Sequence, residues 1–140
     1  EYRFEKLLWN ISLEQVQDAL PYTLLEDTSR GQADEGYTYY VAEYKHDLYG
    51  QKAAVTFEFY EDQLKLVKLT FSPEGKKRKV DSFFEGIVET LIDTCGQENV
   101  KSEDDSVGYV EYRWQGENTR LRVDRSNDFV IITVESIEVQ

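Results

Sequence analysis

From Lys52 to Tyr60 the chain sets Ala53, Val55, Phe57 and Phe59 at alternate positions, with Thr56 and Glu58 between them. Alternation of period two predicts a strand with one face against a core. After a turn at Glu61-Asp62-Gln63 the pattern resumes from Leu64 to Phe71, so the two segments predict a hairpin. Tyr37 to Lys45, rich in aromatic residues, reads as a strand before it. Towards the C-terminus, Val107 to Gln115, Thr119 to Arg125 and Phe129 to Glu138 read as three more, with Ser126-Asn127-Asp128 as a turn.

Two segments change period. Val80, Phe83, Phe84, Ile87, Val88, Leu91, Ile92 and Cys95 recur at steps of three and four, the buried stripe of a helix. Ser82 with Glu85 reads as its capping box and Gly96 as its stop, which places the basic run Lys76-Lys77-Arg78-Lys79 just ahead of it. Cations there oppose the helix dipole. The run reads as a solvated loop, or as a contact for an anionic surface or an acidic partner. Earlier, Ser12 with Gln15 forms a capping box and Ile11 with Val16 a hydrophobic staple. Leu13, Val16, Ala19 and Leu20 share a face, and Pro21 ends that helix. Phe4 to Trp9 fits helix and strand equally. Glu26 to Gly36 and Gln97 to Ser106 read as polar loops.

The order is helix, three strands, helix, three strands. With Gly50 set against Gly116, Val55 and Phe57 match Leu121 and Val123, and the hairpin turns fall nearly opposite each other. Self-similarity at a fixed offset marks a duplicated unit. The expected fold is therefore α+β: a single domain of two α-β-β-β repeats, approximately residues 1–72 and 80–140. They form one antiparallel sheet with the helices packed on one face.

Charge narrows the partners. The net charge is −12, from 28 acidic and 16 basic residues, which argues against nucleic acid as a ligand because phosphate contacts need clustered cations. Ten Tyr, seven Phe and two Trp supply enough apolar surface for a folded core despite that charge. No apolar run approaches the roughly 20 residues of a membrane-spanning helix. Cys95 is the only cysteine, so no internal disulfide forms. Methionine is absent, position 1 included, which predicts a trimmed chain and is compatible with a lipid anchor upstream.

Candidate chemistry is sparse. His46 is the sole histidine, and Cys95 sits on the helix stripe, where it reads as an inert core thiol. No phosphate-binding loop or nucleophile elbow is present. Glu26-Asp27, Asp34-Glu35 and Glu103-Asp104-Asp105 lack the spacing of a calcium loop and read as solvated. Asn10-Ile11-Ser12 is formally a glycosylation sequon, but Ser12 is better used as a cap. No cofactor, metal ligand or catalytic residue is expected.

The sheet's second face is more informative. If Val55, Phe57, Phe59, Leu121, Val123, Val130, Ile132 and Val134 face the helices, their neighbours turn outward. Those are Thr56, Glu58, Tyr60, Lys68, Thr70, Arg120, Arg122, Asp124 and Thr133, joined by Tyr109, Glu111 and Arg113. Tyr, Arg and carboxylates together are the composition of a protein-binding surface, and also of an ordinary solvated sheet. The expected partner-binding residues are Thr56, Glu58, Tyr60, Tyr109, Glu111, Arg113, Arg120 and Arg122.

The layout resembles the tandem helix-plus-sheet modules of secreted bacterial proteins of the beta-lactamase inhibitor protein type, and the related units of small bacterial lipoproteins. The matching stretches are Trp9 to Val16, Leu48 to Gly50, Phe59 to Leu64 and Tyr112 to Trp114. The chain departs from the inhibitor in having no paired cysteines. The resemblance implies a fold used for binding proteins and brings no catalytic residue. The expected function is thus a non-enzymatic protein-binding module, secreted or surface-anchored. The alternative is a cytoplasmic immunity or antitoxin-like protein that binds a basic toxin.

Overall fold

The computed structural model describes Phe4 and residues 7–28, 35–42, 46–73, 77–96, 100–104, 109–126 and 128–137; for 77–78 and 100–104 it describes the backbone alone. The elements are α1 (Leu13–Ala19), β1 (Leu24–Glu26), β2 (Tyr37–Ala42), β3 (His46–Leu48), β4 (Gln51–Tyr60) and β5 (Gln63–Phe71). There follow α2 (Lys77–Cys95), β6 (Val100–Asp104), β7 (Tyr109–Gln115), β8 (Thr119–Arg125) and β9 (Val130–Ser136). The fold is mixed α+β and mostly sheet.

All strands pair antiparallel in one sheet of order β1-β2-β4-β5-β9-β8-β7-β6. β3 pairs with the first residues of β4, along the edge that β2 occupies further on. The two hairpins legible in the sequence meet at the centre, where Val67 lies opposite Val134 and Leu69 opposite Ile132.

The alternation does what the sequence implies. Ala53, Val55, Phe57, Phe59, Val67, Leu69, Phe71, Leu121, Val123, Val130, Ile132 and Val134 are buried in one core with Val16 of α1 and with Val80, Phe84, Ile87, Val88 and Leu91 of α2. Both helices therefore cover the same face of the sheet.

α1 begins as expected. Ser12 Oγ accepts from the Gln15 amide at 3.2 Å, and Gln15 Oε1 accepts from the Ser12 amide at 2.9 Å. The helix start is also tied to the β4–β5 turn: the Leu13 amide donates to Asp62 Oδ1 at 3.0 Å, and the Leu64 amide donates to the Ile11 carbonyl at 2.8 Å. That turn is the two residues Glu61 and Asp62, with φ of 49° and 59°. Two left-handed residues match the twist of the strands they join. Asn10, of the sequon, bonds Lys65 through its side chain.

Several expectations need correction. α2 starts at Lys77, five residues ahead of Ser82, so Ser82 and Glu85 lie within the helix and form no capping box. The basic run is thus helical from Lys77 onward, and the stripe of α2 extends its helix back over residues with no periodicity of their own. The stretch read as a loop from Gln97 to Ser106 contains β6, whose Lys101 to Asp104 pair with Tyr112 to Tyr109. Its polar sequence suits an edge strand, where charge discourages further pairing. The loop read from Glu26 begins with the last residue of β1, and Leu24 to Glu26 pair with Ala42 to Tyr40. Among the described residues the element order is helix, five strands, helix, four strands, where three strands per helix are expected. Cys95 is only partly buried, beside the core, with Thr94 Oγ1 3.6 Å from its sulfur. Parts of the expected segments at 43–45, 97–99 and 105–108 lie outside the described residues, as do Lys76 of the basic run and Asp34 of the acidic clusters.

Candidate functional site

The outward positions of β4, β5, β9, β8 and β7 line up because antiparallel pairing sets one residue beside the next. Thr56 faces Lys68, Lys68 faces Thr133, Thr133 faces Arg122, and Arg122 faces Arg113. On one side runs the row Glu58, Leu66, Glu135, Arg120 and Gln115. On the other run Thr70, Ile131, Asp124 and Glu111. The sequence-expected residues Thr56, Glu58, Tyr109, Glu111, Arg113, Arg120 and Arg122 are thus gathered on this face. Tyr60 stands at its end, against Tyr37 with ring centroids 4.8 Å apart.

None of these eight residues is fully exposed; each is half-buried. Thr133, read as outward, does point to this face yet is 1% exposed, because Lys68 and Arg122 flank it. Two clefts open here. One, of about 520 Å³, is lined by Glu35, Tyr37, Glu58, Tyr60, Lys65, Leu66, Glu135 and Ser136. The other, of about 260 Å³, lies over the sheet centre and shares Glu58 and Leu66 with the first. Tyr39, Thr56, Lys68, Arg122, Asp124, Ile131 and Thr133 complete its lining.

The charges are largely cross-linked. Arg113 donates to Glu111 Oε1 at 2.8 Å, Arg122 Nε donates to Asp124 Oδ2 at 3.0 Å, and Arg120 Nε lies 3.2 Å from Glu135 Oε1. The Tyr109 hydroxyl sits 3.0 Å from Glu111 Oε2 and 2.9 Å from Asp124 Oδ1. Burial pushes the Tyr109 hydroxyl well above the ordinary phenol range, and its bonds to Asp124 and Glu111 push it further. Burial also raises Glu111, but the bonds from Arg113 and Tyr109 and the charges of Arg113 and Arg122 outweigh it, so its carboxyl is lowered. Asp124 is raised, first by burial and also by the charge of Glu111, against the opposing effects of Tyr109 and Arg122.

A pair of carboxyls brought together beside an aromatic residue is what an enzyme on this fold would require. Both members are already engaged by their own sheet: Glu111 by Arg113 and Tyr109, Asp124 by Arg122 and Tyr109. Neither presents an unengaged oxygen pair to the clefts. Elsewhere, the His46 ring stacks on Tyr22 with centroids 3.8 Å apart, and no cluster of metal-ligating residues occurs among the described residues. No helix among them is long and apolar enough to cross a membrane.

Leu66, Ile131, Tyr37, Tyr39, Lys65, Glu135 and Ser136 line the clefts and escape sequence reading. For Leu66 a signal exists. The register shifts between Glu58 and Phe59, so Phe59 faces Leu64 while Glu58 faces Leu66. Lys65 is the extra residue of a bulge, which re-aims the side chains beyond it. The sequence trace of this is the broken alternation Leu64, Leu66, Val67.

Comparison of the chain with family models, with curated proteins and with solved structures yields no match.

Proposed function

We propose that the chain is a non-enzymatic protein-binding module that takes its partner on the outer face of the sheet. One observation carries this reading. Eight residues of interface composition lie together on a face where two adjoining clefts open, and ion pairs within that face hold four of them, Glu111, Arg113, Arg120 and Arg122, in place. A surface already ordered before contact loses little side-chain freedom on binding. The test is capture by immobilised protein, wild type against Leu66→Asp. Leu66 is half-buried on this face and lines both clefts. A species held by the wild type should be lost by the variant at an unchanged melting temperature; equal retention overturns the reading.

We also infer a duplicated unit, α1 with β1–β5 and α2 with β6–β9. Its support is the strand order, which runs inward from each edge to the β5–β9 pair, and the positions of Gly50 and Gly116 in the turns before β4 and β8. By its resemblance the module belongs on a secreted or surface-anchored protein. The net charge of −12 favours a second reading, a cytoplasmic immunity or antitoxin-like partner of a basic toxin. The gene upstream separates the two: a signal sequence or lipidated cysteine supports the first, an adjacent toxin gene the second.

A further inference from the structure

The centre of the outer face holds donors that the protein itself does not use. In the row Thr56, Lys68, Thr133, Arg122, no member is a carboxylate. Among the described residues, the Lys68 ammonium has no hydrogen-bond or ion-pair partner. Arg122 spends Nε on Asp124 and keeps its two Nη groups. Between them, the Thr133 hydroxyl is buried without a hydrogen-bond partner. An unpaired buried hydroxyl is costly and rare in folded proteins. Here it lies in the lining of the 260 Å³ cleft, with Lys68 and Arg122 on either side.

We propose that Lys68, Thr133 and Arg122, with Thr56 alongside, form a binding site for a single carboxylate carried by the partner polypeptide. This rests on the proposed use of the outer face for a protein partner and names the group recognised there. The stoichiometry of charge selects a monoanion. Arg122 is matched by Asp124 and, among the described residues, Lys68 has no ion-pair partner, while Glu58 on the border of the cleft leaves no surplus for a second negative charge. A dianionic phosphate would overshoot that single charge and meet a chain of net charge −12. The Nη groups of Arg122 suit the planar carboxylate, and a hydroxyl beside an ammonium completes the donor set.

The experiment is a titration followed by NMR, at constant ionic strength, with four probes: acetate, inorganic phosphate, and two blocked pentapeptides that differ only in a central glutamate or glutamine. Acetate should give saturable shifts at Thr56, Lys68 and Thr133, and the glutamate peptide should bind about ten-fold tighter than its glutamine twin. Lys68→Gln should bring that ratio near one, and Lys68→Arg should restore most of it. Thr133→Val should weaken acetate without lowering the melting temperature, since it removes only a buried unpaired hydroxyl. Non-saturable shifts, a peptide ratio in Lys68→Gln equal to that of the wild type, or phosphate binding tighter than acetate overturns the proposal. The outcome is separable from that of the capture experiment. Acetate binding with no captured partner leaves the anion site standing and removes the protein-binding reading, and the converse result does the reverse.

Discussion

Glu111 and Asp124 stand directly opposite each other on β7 and β8 and share one phenol, yet their protonation equilibria move in opposite directions. The Tyr109 hydroxyl has one proton and two carboxyl oxygens within 3.0 Å. It can donate fully to only one of them. Relative to its ordinary value, Glu111, with Arg113 also on it, is shifted towards the anion, and Asp124 is shifted towards the protonated acid. Tyr109→Phe removes the bridge and should cost about 1–2 kcal/mol at neutral pH by leaving two half-buried carboxyls short of a donor. Because the Tyr109 bond lowers both carboxyls, the variant should raise both, Glu111 and Asp124 alike, when their side-chain resonances are followed against pH. An unchanged Glu111 would show that the phenol donates elsewhere.

The same pair gives stability a pH dependence of two signs. Asp124 is raised on folding, so the folded state holds more protons. Its contribution is complete below the ordinary value of 3.8 and is lost as pH rises through the raised value. Glu111 is lowered, so its contribution is complete above the ordinary 4.5 and is lost as pH falls through the lowered value. Urea unfolding between about pH 3 and 7 should therefore show Asp124→Asn gaining on the wild type as pH rises and Glu111→Gln losing on it. Parallel curves for the two variants would contradict the opposed shifts.

Much of this arrangement was legible from period alone, and the limits of that legibility have physical causes. Alternation in Ala53 to Phe59 and in Leu121 to Val123 separates inner from outer positions because a buried face tolerates little polar surface. It cannot say which hairpin lies beside which. That β5 adjoins β9, and so that Lys68 meets Thr133, is a long-range pairing with no local trace. β6 leaves no periodic signal, because an edge strand with Lys101, Glu103 and Asp104 need not alternate. Ser82 and Glu85 mislead about the start of α2, because they have the spacing of a cap wherever they occur. The bulge at Lys65 left only a displaced leucine.

Trp114 shows how the second helix is anchored to the sheet. Its ring is buried, and Nε1 donates to the Gly96 carbonyl at 2.8 Å, just past the end of α2. Gly96 itself has φ of 84°, the left-handed stop that a side chain resists. Trp114→Phe should cost about 2–3 kcal/mol, from lost volume and from a carbonyl left without its donor. Gly96→Ala should cost about 1 kcal/mol through backbone strain. Chemical denaturation checks both, and a silent Trp114→Phe would mean that the helix end does not depend on this bond.

Asp62 does for α1 what no residue of that helix can do for itself. It is left-handed in a two-residue turn, and its carboxylate accepts from the Leu13 amide at the helix start. Asp62→Ala loses that bond and a negative charge at the positive end of the helix dipole, an effect of about 1 kcal/mol. Asp62→Gly loses the same bond but relaxes the turn, so it should be the milder change. Amide exchange at Leu13, Glu14 and Gln15 should rise in both variants. Protection that persists would place the anchoring of α1 in the Ser12 cap alone.

Among the described residues one charged side chain is buried, and its replacement tests whether the core needs it. Arg125 ends β8 on the helix side, is 9% exposed, and forms an ion pair with Asp81 in α2. Asp81 is partly exposed, so the pair is screened on one side and its net worth is small. The cost of a buried charge falls on whichever partner remains. Asp81→Ala leaves the guanidinium under α2 with less compensation and should destabilise by about 1–2 kcal/mol. Arg125→Met removes the charge, keeps the length of the side chain and should lie within about 1 kcal/mol of the wild type, on either side. Equilibrium unfolding of the two single variants and the double variant closes the cycle. If Arg125→Met were the more damaging of the two, the arginine would contribute more than it costs to bury, and the pair would be part of how α2 finds its place on the sheet.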